Sequence, residues 1–286
     1  MGNFFLNHLA ITFLFSISTL AQTMVISDID DTVKISHVLN KGAALANTVQ
    51  IKNHFYGMGE LFTAVQKSNP DFSFVYLSAA PEKLMENLHV AFLKLNGFPT
   101  GEVVLRESIA DKDFKVNAIR ALIAQNLPQR LILIGDNGER DPYIYEQIRA
   151  EYPNIQTDIY IHQIYSYRAR KEIGVPPQSA QRLFVTSIDL ARKLVLAQDL
   201  PQHELEQIAL ATIPKLFKQN PKKESGPIFI PAWVDCRDYF GAENLVATQW
   251  NLDRRWPWQP ERPLSEWLAA YDHKLSARCH SGPLAD

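Results

Sequence analysis

The chain has 286 residues, of which 46% are hydrophobic and 21% are charged, as in a globular protein with one large domain or two modest ones. Its 29 Lys and Arg residues nearly balance 31 Asp and Glu residues, and the net charge of -2 excludes a global basic field for nucleic acid. An anionic substrate must therefore be attracted by a local site.

The N-terminal segment differs from the rest of the chain. Residues 1–22 contain no Asp, Glu, Lys or Arg, and the apolar run from Leu9 to Ala21 has the length of a signal-peptide core. We predict a signal peptide over 1–21 and export of the mature protein to the periplasm or the cell exterior. The start of the segment lacks Lys and Arg, so an uncleaved membrane anchor or a buried N-terminal helix are the alternatives.

From residue 23 to about residue 165, short apolar runs alternate with segments of helical spacing. Continuous apolar strands that alternate with helices indicate a parallel sheet covered on both faces. We therefore predict an α/β domain over 22–170, with a five-stranded Rossmann-like parallel sheet and helices on both faces. The predicted strands are 23–28, 72–78, 102–106, 130–135 and 158–164, and the predicted helices are 57–69, 81–96, 112–126 and 142–151.

The alternation stops near residue 174, and the remainder is predicted to be a mostly helical C-terminal extension. We treat residues 171–286 as an accessory subdomain. Its predicted elements are helices over 178–198 and 202–218, a Lys-rich turn over 220–227 and a strand-like run over 228–234.

The extension also holds all the tryptophans and cysteines of the chain. The tryptophans are interpreted as a small core built from large rings, and an aromatic surface for membrane or glycan is the alternative. Cys236 and Cys279 form a disulfide if the protein is exported and are separate thiols if it is not. The five tryptophans are Trp233, Trp250, Trp256, Trp258 and Trp267.

A cluster of carboxylates follows the first predicted strand. The stretch Asp28-Ile29-Asp30-Asp31-Thr32 contains three carboxylates within four residues. Ligands of parallel α/β sheets bind beyond the carboxyl ends of the strands, so we expect Asp28 and Asp30 to face that crevice. A divalent cation would allow neighbouring carboxylates to stay ionised. Taken alone, the motif is also compatible with a surface turn that caps a helix.

A second acidic segment follows the fourth predicted strand. It reads GDNGERD over residues 135–141, and its two glycines permit a tight loop that returns Asp136 toward the crevice. Asp28, Asp30 and Asp136 would together form a site of hard oxygen ligands, which suits Mg²⁺.

Two further residues complete the predicted site. Ser78 ends the second predicted strand and offers a hydroxyl for phosphate oxygens, beside the N–H groups of a helix start. Lys115 lies near the start of the third predicted helix and could reach the site as a cation. A single Ser is usually a cap and a single Lys is usually solvated, so the prediction depends on the order of all four motifs.

The order of these motifs resembles that of the haloacid-dehalogenase-like phosphohydrolases. The segments DIDDTVKIS, FVYLSAAPEKLMENL and FLKLNGFPTGEVVLRE are similar, more narrowly, to the catalytic domain of the actin-patch-associated phosphatidate phosphatase family, with a resemblance over 23–165. That family tends to carry a Ser-rich SSSPW segment where this chain has LSAAPE over 77–82. Ser78 is retained, but the neighbouring polar and aromatic contacts are not, which leaves lipid selectivity open.

The resemblance implies the roles of the catalytic residues. Asp28 would attack phosphorus and form an aspartyl-phosphate, and Asp30 would protonate the leaving oxygen and then accept a proton from water. Ser78 and Lys115 would bind phosphoryl oxygens. The implied reaction converts phosphatidate to diacylglycerol and phosphate, with peripheral membrane contact and no nucleic-acid partner.

The resemblance also implies a Mg²⁺ cofactor. Its ligands would be the carboxylates of Asp28 and Asp136 and the backbone carbonyl of Asp30. Asp141 would hold a metal-bound water or orient Lys115.

The intervals between the motifs are too short for a large lid domain, so we expect an open site that suits a bulky phosphomonoester such as a lipid head group. Lys34, His37 and His54 follow the first motif and could touch the substrate, although single residues of this kind are more often solvated. One alternative is a phosphatase of a soluble or protein-borne phosphomonoester. Another is a non-catalytic binding protein on the same fold, against which the intact set of charged site residues argues.

Overall fold

A computed structural model of the chain describes residues 23–108, 110–217, 228, 230–239 and 263–281. The predicted signal peptide over 1–21 and the Lys-rich turn over 220–227 lie outside the described residues. Three of the tryptophans also lie outside them, namely Trp250, Trp256 and Trp258.

A sheet of parallel strands forms the centre of the fold. Its strands are β1 (Thr23–Asp28), β2 (Ser73–Pro81), β3 (Glu102–Arg106), β4 (Arg130–Asp136), β5 (Gln156–His162) and β6 (Arg182–Phe184). The described sheet has six strands in the order β3-β2-β1-β4-β5-β6, and every pair is parallel. The predicted α/β fold with a parallel sheet is therefore confirmed, and β6 adds a sixth strand at the edge.

Helices connect the strands and continue beyond them. Asn40 caps the first helix, Pro142 occupies the first turn of the fifth, and a reciprocal capping box of Thr186 and Asp189 starts the sixth. Among the described residues, no helix has both the length and the apolar character that crossing a bilayer requires. The helices are α1 (Lys41–Thr48), α2 (Met58–Ser68), α3 (Glu82–Leu95), α4 (Phe114–Asn126), α5 (Asp141–Glu151), α6 (Ser187–Leu196), α7 (Gln202–Leu216) and α8 (Leu264–Ser281).

Two predicted elements of the extension are wrong. The helix predicted over 178–198 forms only over 187–196, because its first part contains the short strand β6, which pairs with β5. The strand predicted over 228–234 is a set of bends and turns at its described residues. Pro231, which has no backbone N–H for a sheet, lies in the middle of this run.

Two apolar cores cover the two faces of the sheet. Successive side chains of β1 point to opposite faces, so Val25 belongs to one core and Met24 and Ile26 belong to the other. The core that contains Val25 includes residues of α2, α3, α6, α7 and α8, and the opposite core includes residues of α4 and α5. Burial on both faces explains why the strands are apolar runs without alternation.

The C-terminal extension shares the larger core. Ile188, Ile208 and Trp267 are buried in the same cluster as residues of β1 and β2. The predicted boundary between residues 170 and 171 lies between β5 and β6, which are hydrogen-bonded neighbours in one sheet. Trp267 is fully buried, as the core interpretation of the tryptophans predicts.

Polar contacts of Arg278 and Tyr271 and a covalent bond help to hold α8 in place. The Arg278 side chain donates hydrogen bonds to the backbone carbonyls of Ala232 and Val234 at 3.0 and 2.9 Å. The Tyr271 hydroxyl donates to Asp189 at 2.9 Å. Cys236 and Cys279 form a disulfide, whereas export of the protein stays a prediction.

We predict that the double substitution Cys236→Ala/Cys279→Ala lowers the free energy of unfolding by about 2–4 kcal/mol, because the disulfide restricts the unfolded chain. The loop that it closes spans 43 residues. Denaturant unfolding of the two proteins measures the difference. Dithiothreitol should lower the unfolding midpoint of the wild type and leave that of the double variant unchanged. Equal midpoints for wild type and variant would contradict the prediction.

Candidate active site

Three predicted site residues stand at the carboxyl ends of adjacent strands. Asp28 ends β1, Asp136 ends β4 on one side of it, and Ser78 lies near the end of β2 on the other. Parallel strands end at the same edge of a sheet, so the order β2-β1-β4 brings these side chains together. All three are almost completely buried.

Asp28 is held by two donors. Its Oδ2 accepts a hydrogen bond from the Thr32 hydroxyl at 2.9 Å, and its Oδ1 lies 2.8 Å from the Lys115 Nζ. Burial raises the pKa of Asp28 well above its ordinary value, and the neighbouring Lys115 opposes this rise. The positive charge of Lys115 therefore favours the ionised form of this carboxylate without cancelling the effect of burial.

Asp31, the third carboxylate of the first motif, shapes the loop. Its backbone is left-handed, with φ of 62°, and its carboxylate accepts hydrogen bonds from the backbone N–H groups of Ser36, His37 and Val38 at 2.9, 2.6 and 2.7 Å. The Tyr165 hydroxyl donates to the same carboxylate at 2.6 Å. These four donors leave Asp31 no capacity for a ligand, so it fixes the loop that carries Asp30.

Asp30 points to a different part of the site from Asp28. It accepts hydrogen bonds from the Ser36 hydroxyl at 2.6 Å and from the Ser78 hydroxyl at 2.8 Å. The Nε2 of His89 lies 3.6 Å from its Oδ2. Burial raises the pKa of Asp30, but His89, the two hydroxyls and the Lys34 ammonium outweigh this effect and leave the pKa below its ordinary value.

His89 was missed by the sequence analysis. It lies on α3 and is fully buried, at helical spacing from the buried Met85 and Phe92, so the pattern reads as an ordinary core position. Burial lowers the pKa of His89. Its contact with Asp30 depends on how α3 packs against the first loop, which no local pattern reveals.

Lys115 is the cation that joins the two acidic loops. Besides Asp28, its Nζ lies 2.7 Å from the Asp141 Oδ1 and 3.1 Å from the Glu139 Oε2. Burial lowers the pKa of Lys115, but the carboxylates around it have the larger combined effect and raise the pKa well above its usual value. Lys115 therefore remains protonated, and Glu139 is a neighbour that the sequence analysis did not predict.

The second acidic loop is fixed by close packing and by Asn137. A Cβ atom on Gly135 would lie 2.5 Å from the Asp141 Oδ2, so glycine is required for the approach of strand and helix. The Asn137 side chain accepts hydrogen bonds from the backbone N–H groups of Ile164 and Tyr165 at 3.0 Å and donates to the Tyr165 carbonyl at 2.6 Å. These bonds attach the loop after β4 to the segment after β5.

Three carboxylates form a group that could hold a metal ion. Asp28, Asp136 and Asp141 each offer an oxygen, and these oxygens lie within 4.8 Å of one another. The Oδ2 atoms of Asp136 and Asp141 are buried and accept no hydrogen bond from the described residues. Burial, together with Asp141 and Asp28, raises the pKa of Asp136 well above its ordinary value. Hard oxygen ligands of high charge density suit a divalent cation such as Mg²⁺, so the residues present fit the predicted metal.

The carboxylate of Asp30 lies outside this group. Its two oxygens accept hydrogen bonds from Ser36 and Ser78 instead. Of the four predicted metal-ligating residues, the structure thus groups the carboxylates of Asp28, Asp136 and Asp141, and a role for the Asp30 carbonyl stays a prediction.

The three residues after the first motif, Lys34, His37 and His54, are buried or half-buried rather than solvated. Lys34 is fully buried and donates a hydrogen bond to the Thr48 carbonyl at 3.0 Å. His37 is buried, pairs with Glu172 at 2.8 Å and stacks on Trp233 at 4.2 Å between ring centroids. His54 is half-buried and bonds the Lys52 carbonyl. These three side chains therefore shape the fold around the site.

A cavity of about 640 Å³ opens on Asp30 and Ser78. The interval between the first two motifs holds α1 and α2, of which only α1 borders the cavity, so this described interval supplies no large lid. Two cations, Lys41 and Arg106, also line the cavity. Its walls are mostly apolar, with Val38, Leu45, Val49, Leu84, Met85 and Leu88 among them.

Comparison with known protein families agrees with this geometry. Residues 23–163 match the family model described as phosphatidate phosphatase APP1, catalytic domain. No curated protein matches the chain. The matched segment contains β1 to β5 and all the site residues described above, from Asp28 to Asp141. Residues 23–163 therefore match the catalytic domain of the phosphatidate phosphatase APP1 family, as the sequence resemblance predicts.

Proposed function

We propose that the protein is a Mg²⁺-dependent phosphomonoester hydrolase that acts through an aspartyl-phosphate and converts phosphatidate to diacylglycerol and phosphate. The observation that carries the proposal is the convergence of two loops on Asp28. Lys115 contacts Asp28 and Asp141, and the oxygens of three carboxylates surround one buried point. A nucleophilic carboxylate beside a fixed cation and a metal-binding group is what phosphoryl transfer requires.

In the proposed reaction, a carboxylate oxygen of Asp28 attacks phosphorus, and the bond from phosphorus to the ester oxygen breaks. Asp30 donates a proton to that oxygen as it leaves. Water then attacks the aspartyl-phosphate while Asp30 accepts its proton, which releases phosphate and restores Asp28. The lowered pKa of Asp30 favours the proton-accepting form, and the negative charge of a bound phosphoryl group would raise that pKa toward the form that donates.

Other side chains orient these two carboxylates. Thr32 holds Asp28 through its hydroxyl, and Ser78 holds Asp30 in the same way. The Lys115 ammonium lies beside Asp28 and would bind a phosphoryl oxygen, and Ser78 would do so by turning toward the phosphate the hydroxyl proton that it donates to Asp30. Such preorganised charges account for most of the catalysis in phosphoryl transfer.

Asp28, Asp136 and Asp141 would hold the metal ion. When bound, Mg²⁺ would neutralise charge on the phosphoryl oxygens and on the carboxylates around it.

The apolar cavity supports a lipid substrate. It begins beside Asp30 and Ser78, which would receive the ester oxygen, and its walls are mostly apolar. Acyl chains gain about 0.8 kcal/mol for each methylene that they bury, so such walls favour a phosphate ester with long chains.

A second opening supports the alternative of a soluble or protein-borne phosphomonoester. It has a volume of about 290 Å³ and lies beside Lys115. Charged side chains line much of it, including Arg106, Lys112 and Arg140. A small polar ester could reach Lys115 from this side without entering the apolar cavity.

We predict that Asp28→Asn lowers phosphate release by on the order of 1,000-fold or more, because an amide cannot form the acyl-phosphate. Acid quenching with ³²P-labelled phosphatidate should trap labelled wild-type protein and no labelled variant. Asp71→Asn, at an exposed aspartate, is the control and should behave as the wild type. Equal labelling of wild type and Asp28→Asn would refute the assigned nucleophile. Absence of label and of turnover in the wild type would favour the non-catalytic alternative.

We predict that Mg²⁺ raises the melting temperature of the wild type and that Asp136→Asn removes most of this increase. A ligand that binds only the folded state stabilises it, and the substitution removes one charged ligand of the ion. Thermal unfolding with and without Mg²⁺ measures the effect apart from activity, and Asp71→Asn again serves as control. An unchanged increase in Asp136→Asn would place the metal elsewhere.

We predict a kcat/KM for a short-chain phosphatidate dissolved in water that exceeds that for glycerol 3-phosphate by about 100-fold or more. Burial of only four methylenes is worth about 3 kcal/mol, which corresponds to such a ratio. A phosphate-release assay with both substrates measures it. Equal values, or a higher value for the small ester, would favour the soluble-substrate alternative.

A further inference from the structure

Three strongly exposed aliphatic side chains form a rim around the apolar cavity. Leu45 on α1 is 76% exposed, Val49 just after α1 is 64% exposed, and Leu84 on α3 is 72% exposed. All three line the cavity that reaches Asp30 and Ser78. Single exposed leucines are ordinary, but three around one opening to a reactive site indicate an apolar contact surface.

A basic segment lies beside this rim. Residues 168–172 line a second cavity of about 630 Å³, which also contains Arg237 and Trp233. Its carboxylates are already engaged, since Glu172 pairs with His37 and Asp235 pairs with Arg237.

Two cations of this segment remain available. Arg170 and Lys171 are exposed, and neither forms an ion pair within the part of the chain that the structure describes. The chain as a whole has a net charge of -2, so this local excess of positive charge stands out from the rest of the molecule.

The apolar rim and the basic segment adjoin each other. Asn40 lines the basic cavity, and the next residue, Lys41, lines the apolar one. The Asn40 side chain donates a hydrogen bond to the Glu172 Oε1 at 3.1 Å, which attaches the basic segment to the start of α1. Both surfaces therefore lie on the edge of the sheet where the site opens.

We propose that these residues form a membrane-docking face that binds anionic lipid bilayers. The face consists of Lys41, Leu45, Val49, Leu84, Arg170 and Lys171. The three aliphatic side chains enter the acyl region, and the cations lie against the anionic headgroups. Docking in this way turns the mouth of the cavity toward the bilayer, so that a lipid phosphate reaches Asp30 without crossing water. This inference rests on the proposed lipid substrate.

The charge pattern favours a bilayer as the occupant of this face. An apolar rim with adjoining cations matches the interface between acyl chains and anionic headgroups, where each Lys or Arg near the surface raises affinity by about fivefold. The apolar rim is also continuous with the cavity proposed to receive acyl chains. A protein partner would need neither feature at the mouth of the catalytic cavity.

The test is binding of the full chain to vesicles that contain no phosphomonoester lipid. We expect strong sedimentation with vesicles of phosphatidylcholine and phosphatidylglycerol and weak sedimentation with phosphatidylcholine alone. The double variant Arg170→Ala/Lys171→Ala should lose about 25-fold in affinity for the anionic vesicles. The triple variant Leu45→Ser/Val49→Ser/Leu84→Ser should lose at least about tenfold.

Matched variants elsewhere on the surface provide the controls. Leu127→Ser/Leu196→Ser removes side chains that are 76% and 84% exposed. Lys67→Ala/Lys215→Ala removes the same amount of positive charge as the double variant of the docking face, from exposed ion pairs. Both controls should bind anionic vesicles as the wild type does, and melting temperatures should show that every variant is folded.

Three outcomes would overturn the docking face. The first is a wild type that does not bind anionic vesicles, and the second is an equal loss of affinity in the controls. The third is a lipid-free dimer that the triple variant abolishes, since the rim would then be a contact between copies of the chain. Phosphatidate hydrolysis in detergent micelles is measured separately, so vesicle binding and the proposed function can fail independently.

Discussion

The structure depends on the balance of charge around Lys115. One buried ammonium faces the carboxylates of Asp28, Glu139 and Asp141, and Asp136 lies in the same buried group and forms no ion pair with the described part of the chain. Burying a carboxylate without compensation is costly, and the raised pKa values of Asp28 and Asp136 express that cost. A divalent cation bound by these oxygens would offset the excess negative charge, and the metal together with Lys115 would then attract a phosphoryl group.

Hydrogen bonds fix the two loops that carry these buried carboxylates. Asp31 accepts four hydrogen bonds, which fix the first loop. In this loop Asp28 contacts Lys115 and Asp30 lines the cavity. Asn137 fixes the loop after β4 through hydrogen bonds to the backbone of Ile164 and Tyr165. Both networks end on Tyr165 in the segment after β5, so the two acidic loops are positioned against one common support. Preorganisation of this kind is what makes charged groups effective in catalysis.

The sequence predicts the site better than it predicts the surroundings. The carboxyl ends of adjacent parallel strands must lie together, so Asp28, Ser78 and Asp136 could be placed from strand positions alone. His89, Glu139 and the stacking of His37 on Trp233 depend on how distant segments pack, and the local pattern around each is ordinary. The strand β6 has three residues, too few for a periodic signal, and its place in the sheet comes from pairing with β5.

Substrate selection can be argued from the segment that departs from its family. Ala79 and Ala80 line the cavity next to Ser78, at the positions where the resemblance implies polar and aromatic residues. Small apolar side chains offer no hydrogen bonds to a polar headgroup, so the aliphatic wall begins directly beside the reacting phosphate. The headgroup of phosphatidate is a phosphate monoester alone, and its glycerol backbone and acyl chains follow that phosphate without a further polar headgroup. An apolar wall at this position therefore favours a lipid monoester over polar phosphate esters, and selectivity then arises from desolvation rather than from added hydrogen bonds.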